Sequence, residues 1–130
     1  RLVALRLDGN LMTSLPDEVS QLKLLKLLSV AHCSRLTALP IKLGHLRSLT
    51  QLNHEGVNLI TPPKIILHWE TPDMIDYLAR LDETETSGVL DLVEIGLTEI
   101  PPEIFSLKNV QDLVLSQNAI RELPTEMSRL

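Results

Sequence analysis

One spacing governs what this chain can fold into: leucine, or an aliphatic stand-in, returns at the same offsets about every 23 residues. The first unit sets Leu2, Leu5, Leu7, Asn10, Met12, Leu15 and Pro16 in the pattern L-x-x-L-x-L-x-x-N-x-L-x-x-L-P, followed by Val19 and Leu22. In the second, Leu25, Leu28, Val30, Cys33, Leu36, Leu39, Pro40, Leu43 and Leu46 take the same places, with one residue inserted after Cys33. A degraded third unit runs Leu49, Leu52, His54, Val57, Leu59, Pro62, Pro63, Ile66 and Trp69. The fourth has Ser87, Leu90, Leu92, Ile95, Leu97, Ile100, Pro101, Ile104 and Leu107, and the fifth Val110, Leu113, Leu115, Asn118, Ile120, Leu123, Pro124, Met127 and Leu130. Unit starts at Leu2, Leu25, Leu49, Ser87 and Val110 lie 23, 24, 38 and 23 residues apart. A period of this length implies like layers stacked on one another. One Phe, one Tyr and one Trp in 130 residues fit a core of repeated aliphatic layers without aromatic anchors.

Within each unit, x-x-L-x-L-x-x alternates with period two, so it predicts a short strand with leucines on one face and variable residues on the other. A lone strand of this kind has nothing to bury its leucines against. Stacked in parallel at about 4.8 Å, neighbours cover one another's leucines and pair their backbones. Each buried side chain contributes roughly 1.5–3 kcal/mol, against an ordering cost of about 1–2 kcal/mol per residue, so no unit stands alone. Asn10 and Asn118 are expected to satisfy backbone groups where the chain leaves the sheet, with Cys33 a weaker substitute. The following prolines suit an extended or helix-opening start on the far side.

Five units in register resemble the leucine-rich-repeat family, in its short cytoplasmic variety with L-P after the asparagine turn. The resemblance implies an α/β fold: a right-handed solenoid, or horseshoe, with a parallel concave sheet and an irregular or helical convex side, to which the spacing of the units adds one inserted short helix. It further implies a protein-interaction scaffold or adaptor in signalling, with the partner on the concave face.

The insertion follows from the 38-residue interval, which leaves about 15 residues beyond one repeat. Thr71-Pro72-Asp73 reads as a helix start, and Met74, Ile75, Leu78 and Leu81 follow at helical spacing. Asp82 to Gly88 reads as a polar, acidic connector. The expected organisation is units one to three over 1–71, an amphipathic helix and acidic loop over 72–86, and units four and five over 87–130, within a longer chain. The Y-L-A-R-L ending at Leu81 is similar to helices that interrupt repeat arrays in Roco-type GTPases. Covering the convex side, marking a boundary between repeat blocks and docking a partner all remain open roles for this segment.

The rest of the sequence narrows the chemistry. A formal charge of -5 offers no footprint for nucleic-acid phosphates. The only cysteine is Cys33, and none of the five asparagines opens an N-x-Ser/Thr acceptor, which favours a reducing, cytoplasmic setting. Neither a membrane-spanning apolar run nor a signal-peptide layout appears. The short motifs of phosphate cradling, zinc ligation and nucleophilic catalysis are missing, so no enzyme activity, cofactor, metal or small-molecule substrate is expected. His32 beside Cys33 lacks anything to orient its imidazole, and His32, His45, His54 and His68 have no ligand spacing. His54 stands where the other units place Leu or Val, and a half-buried histidine there needs a hydrogen-bond partner.

The residues between the strand leucines name the expected contact face: Ala4, Arg6 and Asp8; Leu27, Ser29 and Ala31; Gln51, Asn53 and Glu55; Val89, Asp91 and Val93; Asp112, Val114 and Ser116. Arg6 against Asp8, Glu55, Asp91 and Asp112 favours a protein partner carrying basic groups. Leu27, Val89, Val93 and Val114 would form the dry centre of such an interface. Trp69 replaces Leu22, Leu46, Leu107 and Leu130 of the other units; it is expected to pack on the inserted helix, with exposure as a secondary binding surface as its other role. Two further functions fit the same residues: the regulatory or substrate-binding segment of a multidomain GTPase, ligase or kinase, and an architectural subunit of a large assembly.

Overall fold

The computed structural model describes all of Arg1–Leu130. It is an α/β structure with parallel strands, and it divides into two compact units, Arg1–Ala79 and Arg80–Leu130. In the first unit, β1 (Ala4–Arg6), β2 (Leu27–Ser29) and β3 (Gln51–Asn53) form a sheet in sequence order. The second unit pairs β4 (Val89–Asp91) with β5 (Asp112–Val114). Leu5, Leu28 and Leu52 share one register row, and Leu90 pairs with Leu113. That is the register the repeat alignment requires.

The parallel ladder outlasts the strands. The Leu7 and Gly9 amides donate to the Ser29 and Ala31 carbonyls at 2.8 and 2.9 Å, and Val30 and His32 donate to Asn53 and Glu55 at 2.9 and 2.7 Å. Leu92 and Glu94 donate likewise to Val114 and Ser116 at 2.8 and 3.0 Å. Each strand then leaves the sheet through a left-handed residue: Gly9, His32 and Gly56 at φ 72, 58 and 72°, and Glu94 and Gln117 at 52 and 62°. Only two of these five positions carry the glycine that makes such a backbone inexpensive.

Asn118 shows why the asparagine recurs. Its Nδ2 donates to the Leu92 and Leu115 carbonyls at 2.8 and 2.9 Å, and its Oδ1 accepts from the Ile95 and Leu97 amides at 3.1 and 3.0 Å. One side chain thus satisfies backbone groups of its own repeat and of the preceding one. Cys33 reproduces a single bond of this set: its thiol donates to the Leu7 carbonyl at 3.2 Å, the same 26-residue step as Asn118 to Leu92. Asn10 keeps only the bond within its own repeat, to Leu7 at 2.8 Å.

The prolines open the returning segments. Pro16, Pro40, Pro101 and Pro124 precede 3-10 turns at Asp17–Gln21, Ile41–His45, Pro102–Ser106 and Thr125–Arg129. In the third repeat, Pro63 precedes α1 (Lys64–Leu67). Fixed φ and no amide to satisfy suit proline to these starts. Between strand and turn lies the core. Leu25, Leu28, Val30, Leu36, Leu43 and Leu46 have no exposed surface in the first unit, nor have Leu90, Leu92, Leu97 and Ile104 in the second.

Helix α2 (Thr71–Ser87) occupies the insertion. It corrects the expected organisation at both ends. The Asp73 and Met74 amides donate to the Glu70 carbonyl at 3.0 and 3.1 Å, so the first turn closes one residue before Thr71. Asp82 to Ser87 are helical, not a loop. Thr84 is the reason: it is fully buried, and its hydroxyl lies 2.8 Å from the Arg80 carbonyl and 3.2 Å from that of Val89. The helix stops at Gly88, whose left-handed amide donates to the Thr84 carbonyl at 2.9 Å. Met74, Ile75, Tyr77, Leu78 and Ala79 are buried in the first unit, where α2 runs against Gly44 of the Ile41–His45 turn. A Cβ built on Gly44 would stand 2.3 Å from the Ala79 nitrogen and 2.5 Å from its Cα. Glycine is required there for backbone to meet backbone.

Candidate functional site

The outward face of β1, β2 and β3 gathers six of the predicted contact residues around one recess. It is open to solvent, holds about 540 Å³, and is lined by Arg6, Asp8, Leu27, Ser29, Gln51 and Asn53, together with Thr50, Leu52 and Thr71. Side-chain size explains its shape. Two of the three outward residues of the central strand are small: Ser29 and Ala31 are each only 4% exposed, while Leu27 is half-buried. Their register neighbours Arg6 and Asn53, and one row further Asp8 and Glu55, are longer and exposed. The small residues form the floor of a trough along β2, with walls from β1 and β3 about 10 Å apart, two strand spacings.

Ser29 lies in the floor of the recess, its hydroxyl proton donated to the Asp8 carboxylate. Ala31 is withdrawn for the same steric reason. Asn53 is partly engaged too, its Oδ1 accepting from the Glu55 amide at 3.1 Å.

In the second unit, Val89 and Asp91 border a smaller recess of about 360 Å³ with Arg80 and Glu83. Asp91 repeats the device seen at Asn53, accepting from the Val93 amide at 3.0 Å, while the Arg80 guanidinium donates to the Asp91 carbonyl at 2.8 Å. Asp112 and Ser116 are exposed, and Val93 and Val114 half-buried. Of the four apolar residues expected to form a dry centre, only Val89 is widely exposed, at 43%; Leu27 is half-buried like Val93 and Val114. Reading the repeat alone misses Arg80 and Glu83, because they lie on the inserted helix, outside the pattern.

The remaining candidates lie away from the recess. Cys33 is buried with its thiol on the Leu7 carbonyl, whereas His32 is exposed and its Nδ1 lies 2.5 Å from where a Gly56 Cβ would stand. His54 is half-buried at its strand-end position. Trp69 is half-buried and meets Tyr77 of α2 edge to face, ring centroids 6.0 Å apart and planes at 87°. Its amide donates to the Ile66 carbonyl at 3.0 Å, as Leu22, Leu46, Leu107 and Leu130 donate three residues back in their own repeats. No three His, Cys, Asp or Glu side chains are gathered where they could hold a metal ion. No helix is long and apolar enough to cross a membrane.

No protein-family profile matches the chain. It is similar to TMV resistance protein N of Nicotiana glutinosa, 29% identical over 136 residues that cover 92% of this chain and 12% of that protein. It is also similar to leucine-rich repeat serine/threonine-protein kinase 1 of Mus musculus, 30% identical over 132 residues that cover 99% of this chain and 6% of that protein. The chain therefore spans only a small fraction of either relative. Among solved structures, a leucine-rich-repeat protein of Leptospira interrogans aligns over 99% of this chain and 35% of its own, at 23% identity and a TM-score of 0.37.

Proposed function

We propose that this chain is a leucine-rich-repeat interaction module whose strand faces hold a protein partner. The observation that carries the reading is the trough of the first unit. Arg6, Asp8 and Gln51 stand around a solvent-open recess whose floor the small side chains of β2 set back. A built concavity with polar walls suits a partner's projecting side chains. The 23-residue repeat, a right-handed solenoid course and units at 1–71 and 87–130 flanking the insertion belong to the same reading. So does a cytoplasmic setting, supported by the single unpaired cysteine.

Capture from native extract tests it, with the intact chain beside a Gln51→Arg/Asp112→Arg variant of matched unfolding midpoint. Both side chains are exposed on outward strand positions. The module reading expects a protein retained by the parent and lost by the variant. An identical set of retained proteins would move the contacts to the Trp69 and α2 surface, as an architectural subunit requires.

A second reading is favoured by the mouse kinase relative, of which the chain matches 6%. There the same face would serve as the regulatory or substrate-binding segment of a larger multidomain enzyme.

A further inference from the structure

We propose that the trough over β2 takes an extended segment of the partner that carries an acidic and a basic side chain two residues apart. The proposal rests on the interaction-module reading and specifies its ligand. Three rows cross the sheet of the first unit. Ala4, Leu27 and Gln51 form the first; Arg6, Ser29 and Asn53 the second; the continuing ladder through Gly9 to Ala31 and His32 to Glu55 sets Asp8, Ala31 and Glu55 in the third.

The first row is uncharged, and the next two carry opposite charge. The middle row carries one cation, Arg6, on the wall of the trough. The third row carries two carboxylates, Asp8, which lines the recess, and Glu55, which stands beyond its lining, with the small Ala31 between them. Successive rows are about 7 Å apart, the rise of two residues in an extended chain. An extended segment lying along β2 therefore presents side chains i and i+2 to successive rows. An acidic side chain at one meets the Arg6 fork, for which paired N–H···O bonds are the favoured geometry. A lysine or arginine at the other lies between two carboxylates, about 5 Å from each strand line.

Neither wall is pre-neutralised by the other. Asp8 takes the Ser29 hydroxyl on one carboxylate oxygen and is exposed, as is Glu55. Reversing either charge should disturb the ligand far more than the fold.

A random dodecapeptide library displayed on phage is selected on the immobilised intact chain, and an enriched peptide is then synthesised and titrated. Enriched sequences should carry Asp or Glu and Lys or Arg two positions apart. Binding of such a peptide should fall at least tenfold on Arg6→Glu and on Glu55→Lys. Should a reversal lower the unfolding midpoint, Arg6→Gln and Glu55→Gln replace it, with a loss of several-fold expected. Enriched peptides without the pairing, affinities indifferent to both positions, or no enrichment at all would overturn the proposal. If the captured partner still depends on Gln51 and Asp112 in that event, the module reading survives while this ligand does not.

Discussion

Gly44→Ala isolates the packing of the inserted helix. The added methyl would stand 2.3 Å from the Ala79 nitrogen, 2.5 Å from the Ala79 Cα and 2.8 Å from the Leu78 carbonyl carbon. Comfortable separation begins near 3.5 Å, so α2 and the Ile41–His45 turn must part by roughly 1 Å. The neighbours are backbone, with no side-chain torsion to relieve them. Overpacking of this kind costs about 1–3 kcal/mol, and a backbone clash belongs at or above the top of that range. Ala in place of Gly restricts the unfolded chain and returns about 0.4–1 kcal/mol, too little to offset it. A net loss of about 2–3 kcal/mol lowers the Tm by roughly 10 °C in a domain of this size. Urea unfolding followed by Trp69 fluorescence reads it directly. Trp69 is the only tryptophan and contacts Tyr77 on α2, so helix displacement should also shift its native emission to the red. Gly9→Ala is the control, since Gly9 is left-handed at φ 72° but has nothing within 4 Å of its added Cβ; it should lose only about 1–2 kcal/mol. A Gly44 variant no less stable than the Gly9 variant would refute the close approach.

Other substitutions probe the repeat. Asn118→Ala removes bonds to five backbone groups and should cost about 2–4 kcal/mol in chemical unfolding, whereas Asn10→Ala, losing one exposed bond, should cost under about 1 kcal/mol. Equal losses would contradict the bridging role of Asn118 between repeats. Glu94→Gly and Gln117→Gly should each raise stability by about 0.5–1 kcal/mol, because left-handed backbone penalises non-glycine residues by more than glycine's flexibility costs; a fall in the urea midpoint would count against that turn. Trp69→Ala, read by calorimetry, should lose about 2–3 kcal/mol from a half-buried edge-to-face contact. A loss below about 0.5 kcal/mol would free Trp69 for surface duty.

Strand register was legible in the sequence because a period of two fixes which residues share a face, and a 23-residue recurrence fixes which rows align. Leu5, Leu28 and Leu52 follow from those two facts alone. Height above the sheet was not legible. Ser29 and Arg6 occupy equivalent pattern positions, and the short serine becomes a floor because β2 is flanked on both sides by strands carrying longer side chains such as Arg6. The end of α2 was hidden for a related reason. Asp82 to Ser87 is polar enough to read as a loop, yet burial of Thr84 and the left-handed Gly88 carry the helix through it. Gly44 gave no signal, since its requirement comes from a helix more than thirty residues away. Among the residues lining the recess, the pattern identified Arg6, Asp8, Gln51 and Asn53 but missed Thr50 and Thr71 beside them.

The most direct test of the account places a photo-crosslinking amino acid at Gln51, on the wall of the trough, and in a second protein at Gln21, exposed on a returning turn. Irradiated with the captured partner, the Gln51 protein should give a covalent adduct and the Gln21 protein none. Crosslinking from Gln21 and not from Gln51 would contradict a partner held on the strand face.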